Sequence, residues 1–178
     1  MTTKASFNAE DWTVITTAPA LAGLLVASAE PGGNLRESVA LSRGYAEARA
    51  RQPGELLEDV LTTAPSLDAS NRPKTPEDIR AAALEQLRRA VRTLDRVAQD
   101  DELVEYKRFV YSLAESVAHA HKEGGFLGIG GTPVSANEQQ ALDAIAAIFD
   151  EPIPVEGESP VEEESPVEEE SPVEGESS

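Results

Sequence analysis

The sequence predicts an all-α protein, a single bundle of about seven helices followed by a disordered acidic tail. Three observations carry this. Apolar residues recur with a period near 3.6 through residues 9–150, and no convincing alternating run interrupts them. Helix-start signals recur along the same stretch, each a capping side chain with acids in the turn that follows. From Pro154 onward the chain repeats the hexamers PVEGES, PVEEES, PVEEES and PVEGES, in which a lone valine is the only apolar side chain apart from proline. Such a segment buries too little to offset ordering entropy. The expected organisation is a flexible N-terminus over 1–8, a helical domain over 9–150 and a disordered tail over 151–178.

Taken in order, a first short helix starts after Asn8, with Glu10 and Asp11 in its first turn and Trp12 and Ile15 on its buried side. It is expected to stop or kink before Pro19, because proline brings no backbone N–H and clashes with the preceding turn. Pro19 then opens a second helix carrying Leu21, Leu24, Leu25 and Val26, apolar enough to lie centrally. Pro31-Gly32-Gly33 breaks the chain. Asn34 with Glu37 three residues on is an N-cap pattern for a third helix reaching about Arg51, ended by Pro53-Gly54. A fourth, Glu55 to Thr63, presents Leu56, Leu57, Val60 and Leu61, and the polar stretch Ser66 to Lys74 reads as an internal loop. Thr75-Pro76-Glu77-Asp78 combines a capping hydroxyl, proline at the first position and acids against the helix dipole. The fifth helix it opens runs to about Gln99, with Ile79, Ala83, Leu87, Val91 and Leu94 on one face. A sixth follows Asp100 or Asp101, with Leu103, Phe109, Val110, Leu113 and Val117. Ser135-Ala136-Asn137-Glu138 is a capping box for a last helix bearing Leu142, Ile145 and Phe149.

Composition removes several functional classes. Cysteine is absent, which excludes disulfide frameworks, thiol nucleophiles and cysteine zinc sites. Residues 1–12 contain one lysine and no apolar core, unlike a secretory signal, so the expected compartment is the cytoplasm. The longest apolar run, Ala18 to Ala29 with Pro19 and Ser28 inside it, falls short of the ~20 residues of a membrane span. The net charge is −18, but the tail holds 11 of the 33 acidic residues and no base, leaving 22 acids against 15 bases, or −7, in residues 1–150. Nucleic acid is therefore not expected as a principal partner, since phosphate binding depends on clustered cations.

Two stretches are alike. In AGLLVASAEPGGNLRES (Ala22 to Ser38) and AESVAHAHKEGGFLGIGGTPVSANEQQAL (Ala114 to Leu142), an Ala-rich helix ends in an acid followed by glycines, and the next helix opens with a capping residue and a glutamate. Over roughly residues 18–149 this arrangement resembles the TerB-like tellurite-resistance family, whose helical fold contains two such halves, each with an acidic loop associated with metal binding. In that family a loop Asp is followed seven residues later by a Glu, the separation of Glu30 and Glu37 here. Glu123 and Glu138 correspond in the second half after an insertion. The resemblance implies Glu30, Glu37, Glu123 and Glu138 as ligands of a divalent cation such as calcium, and a role linked to stress or envelope processes. This sequence departs from the family in offering few charged oxygens, where calcium takes six to eight. The competing reading makes Glu37 and Glu138 cap partners and leaves Glu30 and Glu123 solvated.

Other candidates rest on the residues alone. The glycines of GGFLGIGG, Gly124 to Gly131, follow a predicted helix and no Gly-Lys-Ser/Thr succeeds them, which argues against a phosphate loop. Phe126, Leu127 and Ile129 either fold inward as a lid or present an apolar contact to a partner. His119 and His121, two apart, point to different sides of a helix, while Glu115 and Glu123 each lie four residues from His119. Arg88, Arg92 and Arg96 recur every four residues with Arg89 adjacent, a basic stripe that is either a solvated face or a site for an anionic protein or for the chain's own tail. The expected function is a non-enzymatic helical binding or scaffold protein. The alternative is a small enzyme with its site beneath the Gly-rich loop near His119 and Glu115.

Overall fold

A computed structural model describes residues 1–29, 34–66, 75–120 and 134–150, with the side chains of 34–38 excepted. Among these residues there are six α-helices, one 3-10 turn at Lys4–Ser6 and no strand: α1 Ala9–Ala27, α2 Asn34–Ala50, α3 Glu55–Thr62, α4 Pro76–Val97, α5 Asp100–Ala120 and α6 Ala136–Asp150. None is long and apolar enough to cross a membrane.

The helix starts follow the capping chemistry of the sequence. Asn8 accepts the backbone N–H of Asp11 (2.8 Å) and Thr75 that of Asp78 (3.1 Å). At α6 the capping box closes in both directions, the Ser135 hydroxyl accepting from the Glu138 N–H (3.1 Å) and the Glu138 carboxylate from the Ser135 N–H (2.8 Å). Glu102 similarly reaches back to the Gln99 N–H (2.9 Å) at the start of α5. Gln52, at φ 55°, turns the chain left-handed after α2, just ahead of Pro53 and Gly54.

The expected break at Pro19 does not occur, and this reduces seven helices to six. α1 runs unbroken from Ala9 to Ala27 with Pro19 inside it. A mid-helix proline leaves the carbonyl four residues earlier without its donor, which in a buried helix costs on the order of 1–3 kcal/mol if nothing replaces it. Here the carbonyl is that of Ile15, and the Tyr106 hydroxyl of α5 donates to it at 2.8 Å from a fully buried position. A residue 91 positions away repairs the defect that the local sequence creates.

α1 is the centre of the bundle. Trp12, Val14, Ile15, Ala18, Leu21, Ala22, Leu25 and Val26 are all buried, spread around more than one face. α4 packs along it through Ala83, Leu87, Ala90, Val91 and Leu94, and α5 and α6 complete the core with Tyr106, Val110, Leu113, Val117, Leu142 and Ile145. Two glycines allow close approach: a Cβ on Gly23 of α1 would stand 2.4 Å from Leu41 of α2, and one on Gly44 of α2 would stand 2.5 Å from Leu113 of α5. Tyr45 of α2 meets Phe109 of α5 edge to face, with ring centroids 5.3 Å apart.

The first eight residues, expected to be a flexible lead-in, have a turn and long-range bonds. The Thr2 N–H donates to Glu102 (2.8 Å), the Lys4 N–H to Asp59 (2.8 Å), and the Phe7 ring lies 5.8 Å from that of Trp12. Backbone amides of this segment thus find carboxylates on α3 and α5, which a reading of local composition does not foresee. Residues 151–178, expected to be a coil, lie outside the described residues.

Candidate functional site

The arginines of α4 are placed by the burial of its opposite side. With Leu87 and Leu94 facing α1, the 100° step per residue puts Arg88, Arg92, Arg96 and Arg89 on the solvent side, roughly 6 Å apart at each four-residue interval. Arg88 is half-buried, and the other three are exposed. Arg89 pairs with Glu10 of α1 at 3.0 Å and Arg92 with Glu85 one turn earlier at 3.7 Å. The arginines of these pairs remain 43% and 44% exposed and their acids 80% and 62%, so each pair is worth at most about 1 kcal/mol and can be exchanged for a better anion. Asp95 is exposed on the flank of the stripe. The result is a row of four guanidinium groups with two neighbouring acids on the same helix, carried by a backbone that the core holds rigid.

The family-derived acids are not brought into one described site. Glu138 is buried and its carboxylate serves the α6 cap, as the competing reading has it. Glu37 lies in the first turn of α2, while Glu30 and Glu123 fall outside the described residues, as do Phe126, Leu127, Ile129 and His121. Among the described residues no group of three or more His, Asp or Glu side chains is arranged to hold a metal ion. Glu115 and His119 are both exposed on the outer side of α5, where a site beneath a lid would have them turned toward a cavity.

The polar groups that the sequence reading passed over lie between α2 and α5. Burial pushes the Tyr45 phenol up to about 12, against the opposing charge of Arg49, and its hydroxyl has no hydrogen-bond partner among the described residues. Tyr106 is also raised well above its ordinary value, first by burial and then by Tyr45. The two tyrosines stand 61 positions apart on different helices, and no local signal marks them as neighbours. Arg49 donates to the Leu61 carbonyl near the end of α3, and Lys107 to the Phe149 carbonyl near the end of α6 (2.9 Å), so cations close two helix C-termini.

No family model matches the chain, and neither a curated protein nor a solved structure matches it. The likeness to the TerB-like family rests on the residues quoted for it above.

Proposed function

We propose that this chain is a non-enzymatic helical binding or scaffold protein, of TerB-like organisation, that engages an anionic protein through the outer face of α4. The observation that carries this reading is the arginine stripe itself. Arg88, Arg89, Arg92 and Arg96 project from one rigid helix whose opposite side is locked into the core. Arginine suits such a surface, because its planar fork binds carboxylates in pairs and stays charged at any physiological pH. In a chain whose residues 1–150 carry a net −7, a concentrated basic row also fixes which side of the molecule an acidic partner meets.

The test is photocrosslinking in the source cells from Ala81, an exposed position on the same side of α4. The wild-type chain is expected to give a crosslink to an acidic protein that disappears in the Arg88→Gln, Arg92→Gln, Arg96→Gln triple variant. A crosslink of equal yield in the triple variant would overturn the assignment of this face.

A further inference from the structure

We propose that the acidic tail of the same chain, residues 151–178, is the resident occupant of the arginine face and screens it from external anions. This rests on the reading of α4 as an anion-binding face and names what holds that face when no partner is present.

The first support is where the tail is rooted. α6 packs against both α4 and α5, and its end is fixed by the hydrogen bond from Lys107 to the Phe149 carbonyl (2.9 Å). Lys107 lies two turns into α5, about 10 Å along its axis from Asp100, and only Ala98 and Gln99 separate α5 from the end of α4. The tail therefore leaves the bundle near the end that carries Arg92 and Arg96. Its acids begin at Glu151, and the run from Glu156 to Glu164 lies 6 to 14 residues beyond Asp150, a span of roughly 20–45 Å when extended, enough to reach every arginine of the stripe.

The second support is charge. The tail holds 11 glutamates and no base, in hexamers that present two or three acids each. Asp95, Asp100 and Asp101, exposed at the Arg96 end, oppose the tail there, so its attraction falls on the part of the row nearer Arg89 and Arg92. Three acids already lie beside the stripe: Glu10 and Glu85, which pair with Arg89 and Arg92 and are more than half exposed, and the exposed Asp95; tail glutamates can replace the two paired ones at little cost. The tail has no bulky side chain to anchor a fixed pose. The contact is therefore a fluctuating electrostatic one, effective because a tethered segment acts at a concentration on the order of 1 mM, and sensitive to salt because the groups are exposed.

The absence of native cysteine permits a direct test in the full chain. Fluorophores at Ala81→Cys and Ser165→Cys report the distance from tail to α4 by energy transfer. Transfer is expected to be high at low salt and to fall on addition of 0.5 M salt, where the screening length shrinks to about 4–5 Å. It is expected to fall equally in the Arg88→Gln, Arg92→Gln, Arg96→Gln variant. It should persist when the same number of charges is removed elsewhere, by Arg43→Gln, Arg51→Gln and Arg108→Gln. Transfer indifferent to salt and to the α4 substitutions, or lost equally in both triple variants, overturns the proposal. A second arm separates it from the reading it rests on. Labelled poly-glutamate is titrated onto the full chain and onto a variant whose tail glutamates are all glutamine. If the tail competes with a dissociation constant of about 0.3 mM, removing its charge tightens poly-glutamate binding about fourfold. Equal binding to both chains overturns screening by the tail and leaves the α4 face as an anion site. No binding to either chain overturns both.

Discussion

α1 and α4 lie against each other, yet they meet water in different ways. Twelve of the 19 residues of α1 are buried, against six of the 22 of α4, so α1 is a core element on most sides while α4 has one inner and one outer face. The difference separates their roles. α1 can tolerate a proline only because a distant tyrosine completes its hydrogen bonding, and what it contributes is the core. α4 has charge to spare on its outer face without any cost to packing, and that is where recognition can be placed.

The largest effect that tests this division comes from the inner face of α4. Leu94 is fully buried, so Leu94→Ala is expected to cost about 2–5 kcal/mol in urea unfolding; a loss below 1 kcal/mol would mean that α4 is not fixed by its packing on α1. Next, Tyr106→Phe leaves the Ile15 carbonyl without a donor, an expected loss of about 1–3 kcal/mol. Pro19→Ala restores the N–H that α1 lacks at that point, so the Pro19→Ala, Tyr106→Phe double variant should recover most of the loss. Additive behaviour in that cycle would show that the tyrosine does not act through the carbonyl.

Tyr45→Phe is the contrasting case. Its hydroxyl is buried with no partner among the described residues, so removing it is expected to stabilise the protein by about 1 kcal/mol, and a destabilisation of that size would reveal a bond that the hydroxyl makes. Substitution on the outer face is smaller still: Arg92→Gln should change stability by no more than about 0.5 kcal/mol while reducing anion binding.

The smallest expected effect is a pH dependence at Glu102. Burial, the largest single influence, raises this carboxyl, but hydrogen bonds from Thr2 and Gln99 and the charge of the N-terminus together outweigh it and hold the group below its ordinary value of 4.5. A depressed acid contributes stability that is fully present above pH 4.5 and is lost as pH falls through the lower folded value. The Glu102→Gln variant should therefore show a shallower loss of stability below pH 4.5 than the wild type, and identical acid limbs would remove Glu102 from the account.

The sequence by itself determined the all-helical class, the starts of α1, α4 and α6, and the inner face of α4. Each of these depends on interactions within three to seven residues, such as the Thr75 cap or the Ser135–Glu138 box, and such interactions leave a fixed spacing in the chain. The arginine stripe was legible for the same reason, since helical period alone puts Arg88, Arg92 and Arg96 on one side. Only the tertiary structure decided the continuity of α1, the anchoring of residues 1–8 and the partnership of Arg89 with Glu10. These depend on groups that meet across 50 to 100 positions, as Tyr106 meets the Ile15 carbonyl and Glu102 meets the Thr2 amide. A proline breaks a helix when its orphaned carbonyl stays unpaired, and whether a hydroxyl arrives to pair it is fixed by how α5 packs on α1, which no local spacing encodes.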